Sequence, residues 1–361
     1  MSDHSRNSRL KDTKKSFLIQ KYQYLASKSR LILFVLIIYL FLSFIFYLYV
    51  SRILSPVDVS SITDEIVEIK PGMSASQIGL LLEDKDLIKN RFIFQTASIL
   101  SGTSGSLKAG EYIINKNMGT LEILDKIAKG KSLLYKFTVP EGFTVSQIAE
   151  QWEENGFGKN RDFLLAATDE SIIEKYKIDF DSTEGYLFPD TYMFPSSISE
   201  SEAIREMLEQ FWKISKELLD KKTDKYTEQE LTLHEVISLA SIIEREAMLE
   251  SEKPIISAVF HNRLKRGRKL ESCATVLYGL GYPKRKLTYE DLRNPKSLYN
   301  TYVYKGLPPG PICNPGLSSI AAALEPSEDK YLYFVSKNDG THFFAETYRD
   351  FLNAKRKFQD G

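Results

Sequence analysis

The chain has 361 residues, enough for two folded domains, and its 43% hydrophobic and 27% charged residues are typical of a globular protein. The 48 basic and 48 acidic side chains cancel, which excludes the basic surplus expected of a nucleic-acid-binding protein. The sequence has none of the Cys and His spacings of zinc sites and no glycine-rich phosphate loop, so we expect neither a metal nor a cofactor.

The first fifty residues predict a membrane anchor. Residues 1–30 form a predicted basic tail, with eight Lys or Arg residues against two Asp residues. The uncharged run Leu31–Val50 follows, long enough for a helix to cross a hydrocarbon core of ~30 Å and too long for a signal-peptide core. Because basic flanks stay in the cytoplasm, we expect a single-pass helix in the cytoplasmic (inner) membrane, with an extracytoplasmic or periplasmic remainder.

Residues 51–61 are predicted to be a linker, and a motif that occurs twice follows it. The copies are Ile69–Ile78 (IKPGMSASQI) and Val139–Ile148 (VPEGFTVSQI), and each predicts a strand, a glycine turn, a Ser or Thr cap and a helix. This order resembles the LysM module, a small βααβ fold that binds N-acetylglucosamine chains. We therefore expect a LysM-like subdomain at 62–134 and a second copy at about 136–165. A purely structural use of both copies is the alternative.

The rest of the chain, residues 135–361, is expected to form one catalytic domain. It predicts amphipathic helices at Glu200–Leu219 and Leu233–Met248, and strands at Tyr331–Val335 and His342–Phe344. Strands and helices alternate without a regular βαβ series. The predicted fold class is therefore α+β, with a mixed domain that follows the transmembrane helix and the LysM-like module.

Glu244 is the predicted catalytic residue. On a helical wheel of Leu233–Met248 it lies on the apolar stripe, whereas Arg245 and Glu246 lie off the centre of that stripe. Loss of water favours the protonated form of a carboxyl group, which is what a general acid near neutral pH requires. The alternative is a core glutamate satisfied by Arg263 or by backbone groups.

Several polar and aromatic residues around Glu244 in the sequence suit sugar binding. Aromatic faces stack on sugar rings, and amides hydrogen-bond hydroxyl and acetamido groups. A rigid loop rich in Pro and Gly, residues 306–316, can hold such side chains in place. The predicted substrate-binding residues are Glu184, Asn262, Arg263, Thr275, Tyr278, Tyr299, Asn300, Tyr302 and Asn314.

Seven segments closely resemble one family along most of the chain: LASIIEREA, EGYLFPDTY, FHNRL, TVLYGLG, YNTY, GLPPGPICNPG and YLYFV. The family is that of the endolytic murein transglycosylases, also called YceG-like or MltG. The resemblance implies a lytic transglycosylase, a carbon–oxygen lyase that cleaves nascent peptidoglycan strands between N-acetylmuramic acid (MurNAc) and N-acetylglucosamine (GlcNAc). The resemblance also implies that this enzyme leaves 1,6-anhydro-MurNAc ends and terminates strand elongation. The resemblance assigns the catalytic role to Glu244 and implies glycan polymerases and penicillin-binding proteins as partners.

The sequence departs from the family pattern at one place. Many members have Gln-x-Asp-Pro before Thr-Val, where this chain has Glu271-Ser272-Cys273-Ala274. Because Cys273 replaces the acid and Cys313 lies in the Pro/Gly loop, we predict a disulfide between them. Two free cysteines are the alternative.

Two other functions remain open from the sequence. A muramidase-type hydrolase would use Glu184 or Glu271 as a second carboxylate, because hydrolysis ordinarily needs two. A non-catalytic peptidoglycan-binding or division scaffold would rely on the LysM-like copies alone.

Overall fold

A computed structural model describes residue 28 and residues 32–219, 230–281 and 287–359. The predicted basic tail, apart from Lys28, lies outside the described residues. The chain divides into two compact units, Met1–Leu133 and Leu134–Gly361, one residue from the boundary predicted at 134/135.

The first unit begins with the helix α1, Ile32–Leu54. The most apolar stretch of 18 residues in this helix has a mean hydropathy of 2.6, and 0% of that stretch is buried. Its 23 residues span roughly 35 Å, enough to cross a membrane, and no other helix in the described ranges passes the same test of length and composition. The helix extends into the predicted linker, ending at Leu54. Lys89 Nζ donates to Arg52 O at 3.0 Å and to Ser55 Oγ at 2.9 Å, which satisfies a carbonyl at the C-terminus of α1.

The remainder of the first unit has a strand–helix–helix–strand order followed by one helix. These elements are β1 (Asp64–Ile69), α2 (Ala75–Asp84), α3 (Arg91–Leu100), β2 (Gly110–Asn115) and α4 (Thr120–Ala128). β1 pairs antiparallel with β2, with Asp64 opposite Asn115 and Ile69 opposite Gly110. The apolar side chains between this sheet and the helices form a core of their own, which includes Val67, Ile78, Leu82, Phe94, Tyr112, Ile114, Ile123 and Ile127.

The second unit is a mixed domain with two small antiparallel sheets in its described part. Its elements are β3 (Tyr135–Thr138), α5 (Val145–Glu154), α6 (Asn160–Ala167), α7 (Glu170–Tyr176), β4 (Thr191–Phe194), α8 (Glu200–Leu219), α9 (Leu233–Glu246), a 3₁₀ turn (Glu250–Glu252), α10 (Lys253–Lys265), α11 (Cys273–Gly279), α12 (Tyr289–Arg293), α13 (Leu317–Leu324), β5 (Tyr333–Ser336), β6 (His342–Ala345) and α14 (Tyr348–Phe358). β3 pairs with β4, and β5 pairs with β6. The α+β class predicted from the sequence is confirmed as a mixture of helices and small sheets.

The two copies of the sequence motif adopt the same local structure. Ser74 in the first copy and Thr144 in the second accept a hydrogen bond from the backbone N–H three residues on, and the glutamine there accepts one from the cap residue's own N–H. The glycine turns before these caps are also alike, with φ of +81° at Gly72 and +75° at Gly142. The repeat is therefore structural as well as sequential.

Helix α9 runs through the core of the second unit. Thr232 forms a capping box with Glu235 at its start. Every residue from Val236 to Ile243 is buried, so this part of the helix is enclosed on all sides. The sequence predicted burial of only one apolar stripe, which was too narrow a buried surface. It ends at Glu246, two residues before the predicted end, because Ala247 adopts extended backbone. Glu244 thus lies in the last turn, where α9 leaves the core.

Candidate active site

The carboxyl group of Glu244 is anchored through one oxygen. Its side chain is only 9% exposed, and Oε2 accepts hydrogen bonds from Gly316 N at 3.0 Å and from Ser319 Oγ at 2.7 Å. Lys253 Nζ lies 3.5 Å from the same oxygen. Gly316 is the N-cap of α13, so Glu244 also sits at the positive end of that helix. No donor in the described part of the chain reaches Oε1.

Lys253 is the cation of this site. Its side chain is 3% exposed, and Nζ lies 2.6 Å from Glu250 Oε1 and donates to Ser318 Oγ at 2.8 Å. Burial lowers the pKa of Lys253, but the hydrogen bond to Glu250 and the charges of Glu244, Glu250 and Glu141 outweigh it and leave that pKa raised. The ammonium therefore stays charged beside Glu244.

Asn314 fastens the Pro/Gly loop to the turn of the second repeat copy. Its Oδ1 accepts from Leu187 N at 2.8 Å, and its Nδ2 donates to Phe143 O at 2.9 Å. The backbone repeats the contact, because Gly142 N donates to Asn314 O at 2.9 Å. This loop leads directly into Gly316, so its attachment fixes the N–H that anchors Glu244.

Glu184 is a buried acid behind this loop. It is 4% exposed, and its two oxygens accept from Val145 N at 3.1 and 3.2 Å, from Asn314 Nδ2 at 3.3 Å and from Tyr278 OH at 3.3 Å. Burial raises the pKa of Glu184 to about 8 even though the hydrogen bonds from Val145 N and Tyr278 OH lower it. The ring of Tyr278 lies 4.8 Å from that of Tyr299. The structure thus brings together four of the predicted residues.

Asn262 and Arg263 contact the protein's own backbone. Asn262 Nδ2 donates to Asp329 O at 2.8 Å and to Tyr331 O at 3.0 Å. Arg263 donates to Leu332 O and to Leu270 O, each at 2.7 Å, and its Nη1 lies 3.0 Å from Glu271 Oε2. These bonds tie α10 to the segments around it, and substrate binding by this pair stays a prediction.

The other predicted residues lie near α11 and the loop that follows α12. Thr275 Oγ1 is 2.8 Å from Thr301 Oγ1, and Asn300 Nδ2 donates to three backbone carbonyls between residues 291 and 294. Tyr302 OH lies 3.3 Å from Cys273 Sγ. For Thr275, Asn300 and Tyr302 the structure shows contacts within the protein, and their role toward substrate also stays a prediction.

A family profile confirms the resemblance stated from the sequence. The YceG-like family matches residues 67–357, which cover both repeat copies and the whole site around Glu244. This chain belongs to the YceG-like family.

Relatives of this YceG-like chain support the assignment. It is 34% identical over 328 residues to the endolytic murein transglycosylase of Bacillus subtilis strain 168, covering 86% of this chain and 89% of that protein. It is 30% identical over 335 residues to the protein of the same name in Streptococcus pneumoniae strain D39, of which it spans 60%. A 2.6 Å crystal structure of a YceG-like protein from Listeria monocytogenes matches with a TM-score of 0.56 and 35% identity, covering 80% of this chain and 98% of that one.

The predicted disulfide of the YceG-like chain is not formed. Both cysteines are free, with Cys273 exposed and Cys313 buried. Cys313 Sγ donates to Ser241 O at 3.3 Å, inside the core beside α9, while Cys273 contacts Tyr302. Each thiol is therefore held by a different partner, and the prediction of a bridge was wrong.

Three groups at the site were missed from the sequence. Lys253 begins a helix, where a lysine is ordinarily solvent-exposed, so the pattern carried no signal for it. Ser319 and the Gly316 N–H anchor Glu244 only because α13 starts beside the end of α9, a tertiary contact that no spacing predicts. A glycine directly before a short apolar helix was the one available indication of a helix N-terminus.

The raised pKa of Glu184 predicts a pH-dependent stability. Between its ordinary value of 4.5 and about 8 the folded form holds a proton that the unfolded form releases, so stability falls as pH rises across this window. Glu184→Gln cannot ionise. We expect the wild type to lose up to about 1.4 kcal/mol per pH unit relative to this variant. Urea unfolding of the full chain in detergent, from about pH 5 to pH 8, measures the difference.

Glu150→Gln, at an exposed position of α5, is the matched control and should run parallel to the wild type at every pH. Parallel curves for wild type and Glu184→Gln would contradict the assignment of a raised pKa.

Proposed function

We propose that this chain is an endolytic murein transglycosylase that cleaves nascent peptidoglycan strands between MurNAc and GlcNAc and leaves 1,6-anhydro-MurNAc ends. The observation that carries the proposal is the single anchored carboxyl of Glu244, with Oε2 held by three donors and Oε1 without one in the described residues. Relatives that bear this name over most of the chain support it. Cleavage within a growing strand terminates its elongation.

The anchoring decides which oxygen of Glu244 carries the proton. Oε2 faces an ammonium, a hydroxyl and a backbone N–H, so the acid proton belongs on Oε1. This proton passes to the glycosidic oxygen as its bond to C1 of MurNAc breaks through an oxocarbenium-like state. The carboxylate left behind is stabilised by Lys253 and by the N-terminus of α13.

The second half of the reaction restores the acid. The C6 hydroxyl of the same MurNAc attacks C1, and the Glu244 carboxylate takes the hydroxyl proton. One C–O bond breaks, one C–O bond forms, and no water enters the product. One carboxyl group therefore serves as acid and then as base.

The contacts of Glu184 and Glu271, the two acids predicted as the second carboxylate of a hydrolase, do not favour that reaction. Glu184 already accepts hydrogen bonds from three groups of the protein, and Glu271 pairs with Arg263. A second carboxylate that activates water must reach the water on the opposite face of the sugar. The carboxyl groups of both acids therefore already make contacts within the protein.

The repeat copies extend the proposal to glycan binding. The strand–helix–helix–strand order within 62–134 supports the LysM-like interpretation, and this subdomain binds N-acetylglucosamine chains. A scaffold built on such modules would bind strands without shortening them, whereas the anchored Glu244 gives this chain a cleavage site.

Helix α1 supports the proposed location. In this proposal the chain is a single-pass protein of the cytoplasmic membrane, with the basic tail inside and the catalytic domain outside the cytoplasm. The site would then lie beside newly made strands, within reach of glycan polymerases and penicillin-binding proteins as partners.

Glu244→Gln keeps the shape of the side chain but removes the transferable proton. We expect the cleavage rate to fall by about 10²- to 10⁴-fold. The assay incubates the full chain in detergent with uncrosslinked glycan strands and determines product masses. Wild-type ends should be lighter than hydrolysed reducing ends by one water molecule.

The control for this variant is Glu150→Gln, which should cleave as the wild type does. Full activity of Glu244→Gln would refute the catalytic assignment, and wild-type products with hydrolysed ends would establish the muramidase.

Lys253→Met removes the ammonium beside Glu244 at similar side-chain length. A hydrogen bond to a charged group contributes about 1.5 to 3 kcal/mol, so we expect the turnover number to fall by about 10- to 100-fold with little change in KM. Steady-state kinetics on glycan strands measure both constants.

Lys265→Met, at an exposed position at the other end of α10, is the matched control and should leave both constants unchanged. An unchanged turnover number for Lys253→Met would show that the ammonium does not assist the carboxylate.

A further inference from the structure

Glu141, in the turn between β3 and α5, lies against the anchor of Glu244. A Cβ atom added to Gly316 would lie 1.9 Å from Glu141 Oε1 and 2.2 Å from its Cδ, so the carboxylate packs on the Gly316 backbone. The N–H of this same Gly316 donates to Glu244 Oε2. The two carboxyl groups therefore flank one glycine. A Cβ added to Gly142, the residue after Glu141, would lie 3.7 Å from Glu244 Cγ.

The repeat shows that the turn does not need this carboxyl group. The first copy has Pro71 at the position that Glu141 occupies in the second. Both copies nevertheless have the same glycine conformation and the same capping box after it. The structure of the turn therefore does not explain why position 141 has an acidic side chain.

The carboxylate of Glu141 has no donor within the described ranges of the chain. The charged groups that face it are Glu244 from α9, Glu250 from the 3₁₀ turn and Lys253 from α10. Lys253, the one cation among them, is already bonded to Glu250 and Ser318. Burial and then the charge of Glu244 raise the pKa of Glu141. Glu141 is exposed, so its carboxylate, which packs on Gly316 beside a like charge, is open to a ligand that can donate a hydrogen bond.

We propose that Glu141 is a second substrate-contacting carboxyl group of the cleavage site, which accepts a hydrogen bond from a hydroxyl or acetamido N–H of the bound sugar and shares one proton with Glu244. This inference rests on the proposed function and deepens it. When the shared proton moves to the glycosidic oxygen, two carboxylates face the positive charge that develops at C1 and stabilise it. The C6 hydroxyl then returns one proton to the pair.

Removal of one carboxyl group should change the pH profile as well as the rate. A pair that shares one proton is inactive when both groups are protonated, so Glu141→Gln removes the acid limb of kcat/KM. A residue that only supports the fold would lower activity without removing this limb.

The experiment uses the full chain in detergent with uncrosslinked glycan strands. Glu141→Gln should lower kcat/KM by about 10- to 100-fold and remove the acid limb of its pH profile. Gly316→Ala is the second variant, because its Cβ would occupy the place where the Glu141 carboxyl group now packs, while that group remains in the chain. It should lower kcat/KM in the same direction. Glu174→Gln, at an exposed position of α7 outside the repeat copy, should match the wild type.

A second measurement separates this inference from the proposed function. Binding of glycan strands is compared between Glu244→Gln and the double variant Glu141→Gln/Glu244→Gln. At least tenfold weaker binding by the double variant supports the contact, and equal binding together with an unchanged Glu141→Gln pH profile overturns it. If the wild type does not cleave, the proposed function fails, and the binding comparison alone decides: equal affinity then overturns the role of Glu141.

Discussion

The site depends on one interaction, the anchoring of Glu244 Oε2 at the start of α13. A glutamate side chain at the end of a helix has several rotatable bonds and would ordinarily sample many positions. Here a backbone N–H, a hydroxyl and an ammonium hold one oxygen and leave the other oriented. A general acid must lie within hydrogen-bond reach of the atom it protonates, so this constraint comes before any question of acidity. The surroundings are polar, which corrects the expectation of an apolar pocket around this carboxyl group.

The anchor is held in place by the buried polar groups behind it. Asn314 and Glu184 connect the Pro/Gly loop, the N-terminus of α5 and the Tyr278 hydroxyl. A buried polar network of this kind is stable only when each of its groups has a hydrogen-bond partner. Displacement of the loop would move the Gly316 N–H away from Glu244. Asn262, Asn300 and Asn314 all donate to backbone carbonyls within the protein, and sugar binding by them stays a prediction.

The sequence predicted the parts of this structure that depend on local pattern. Helix α8 has the predicted bounds Glu200–Leu219, and the repeat predicted the strand, turn and cap of both copies, because capping and periodicity act within a few residues. Glu244 was predicted because its position on the helical wheel and its family segment agree, and its catalytic role stays a prediction. Lys253 and the Gly316 N–H were not predicted, since each acts through contact between segments distant in the chain. The disulfide was predicted only from the extracytoplasmic location and from the departure from the family pattern at Cys273. Neither observation contains the geometry that such a bond requires.

The two repeat copies explain how a structural unit can contribute chemistry. A turn that folds equally well with Pro71 or with Glu141 places no demand on that side chain, so the position is free to differ between copies. In the second copy the same turn lies against the last turn of α9, where Gly142 approaches the Glu244 side chain and Arg245 Nη1 donates to Gly142 O at 3.3 Å. A carboxyl group at this position must therefore lie near Glu244. Under the role that we propose for Glu244, the second copy forms one side of the cleavage site, in addition to any binding role that the copies share.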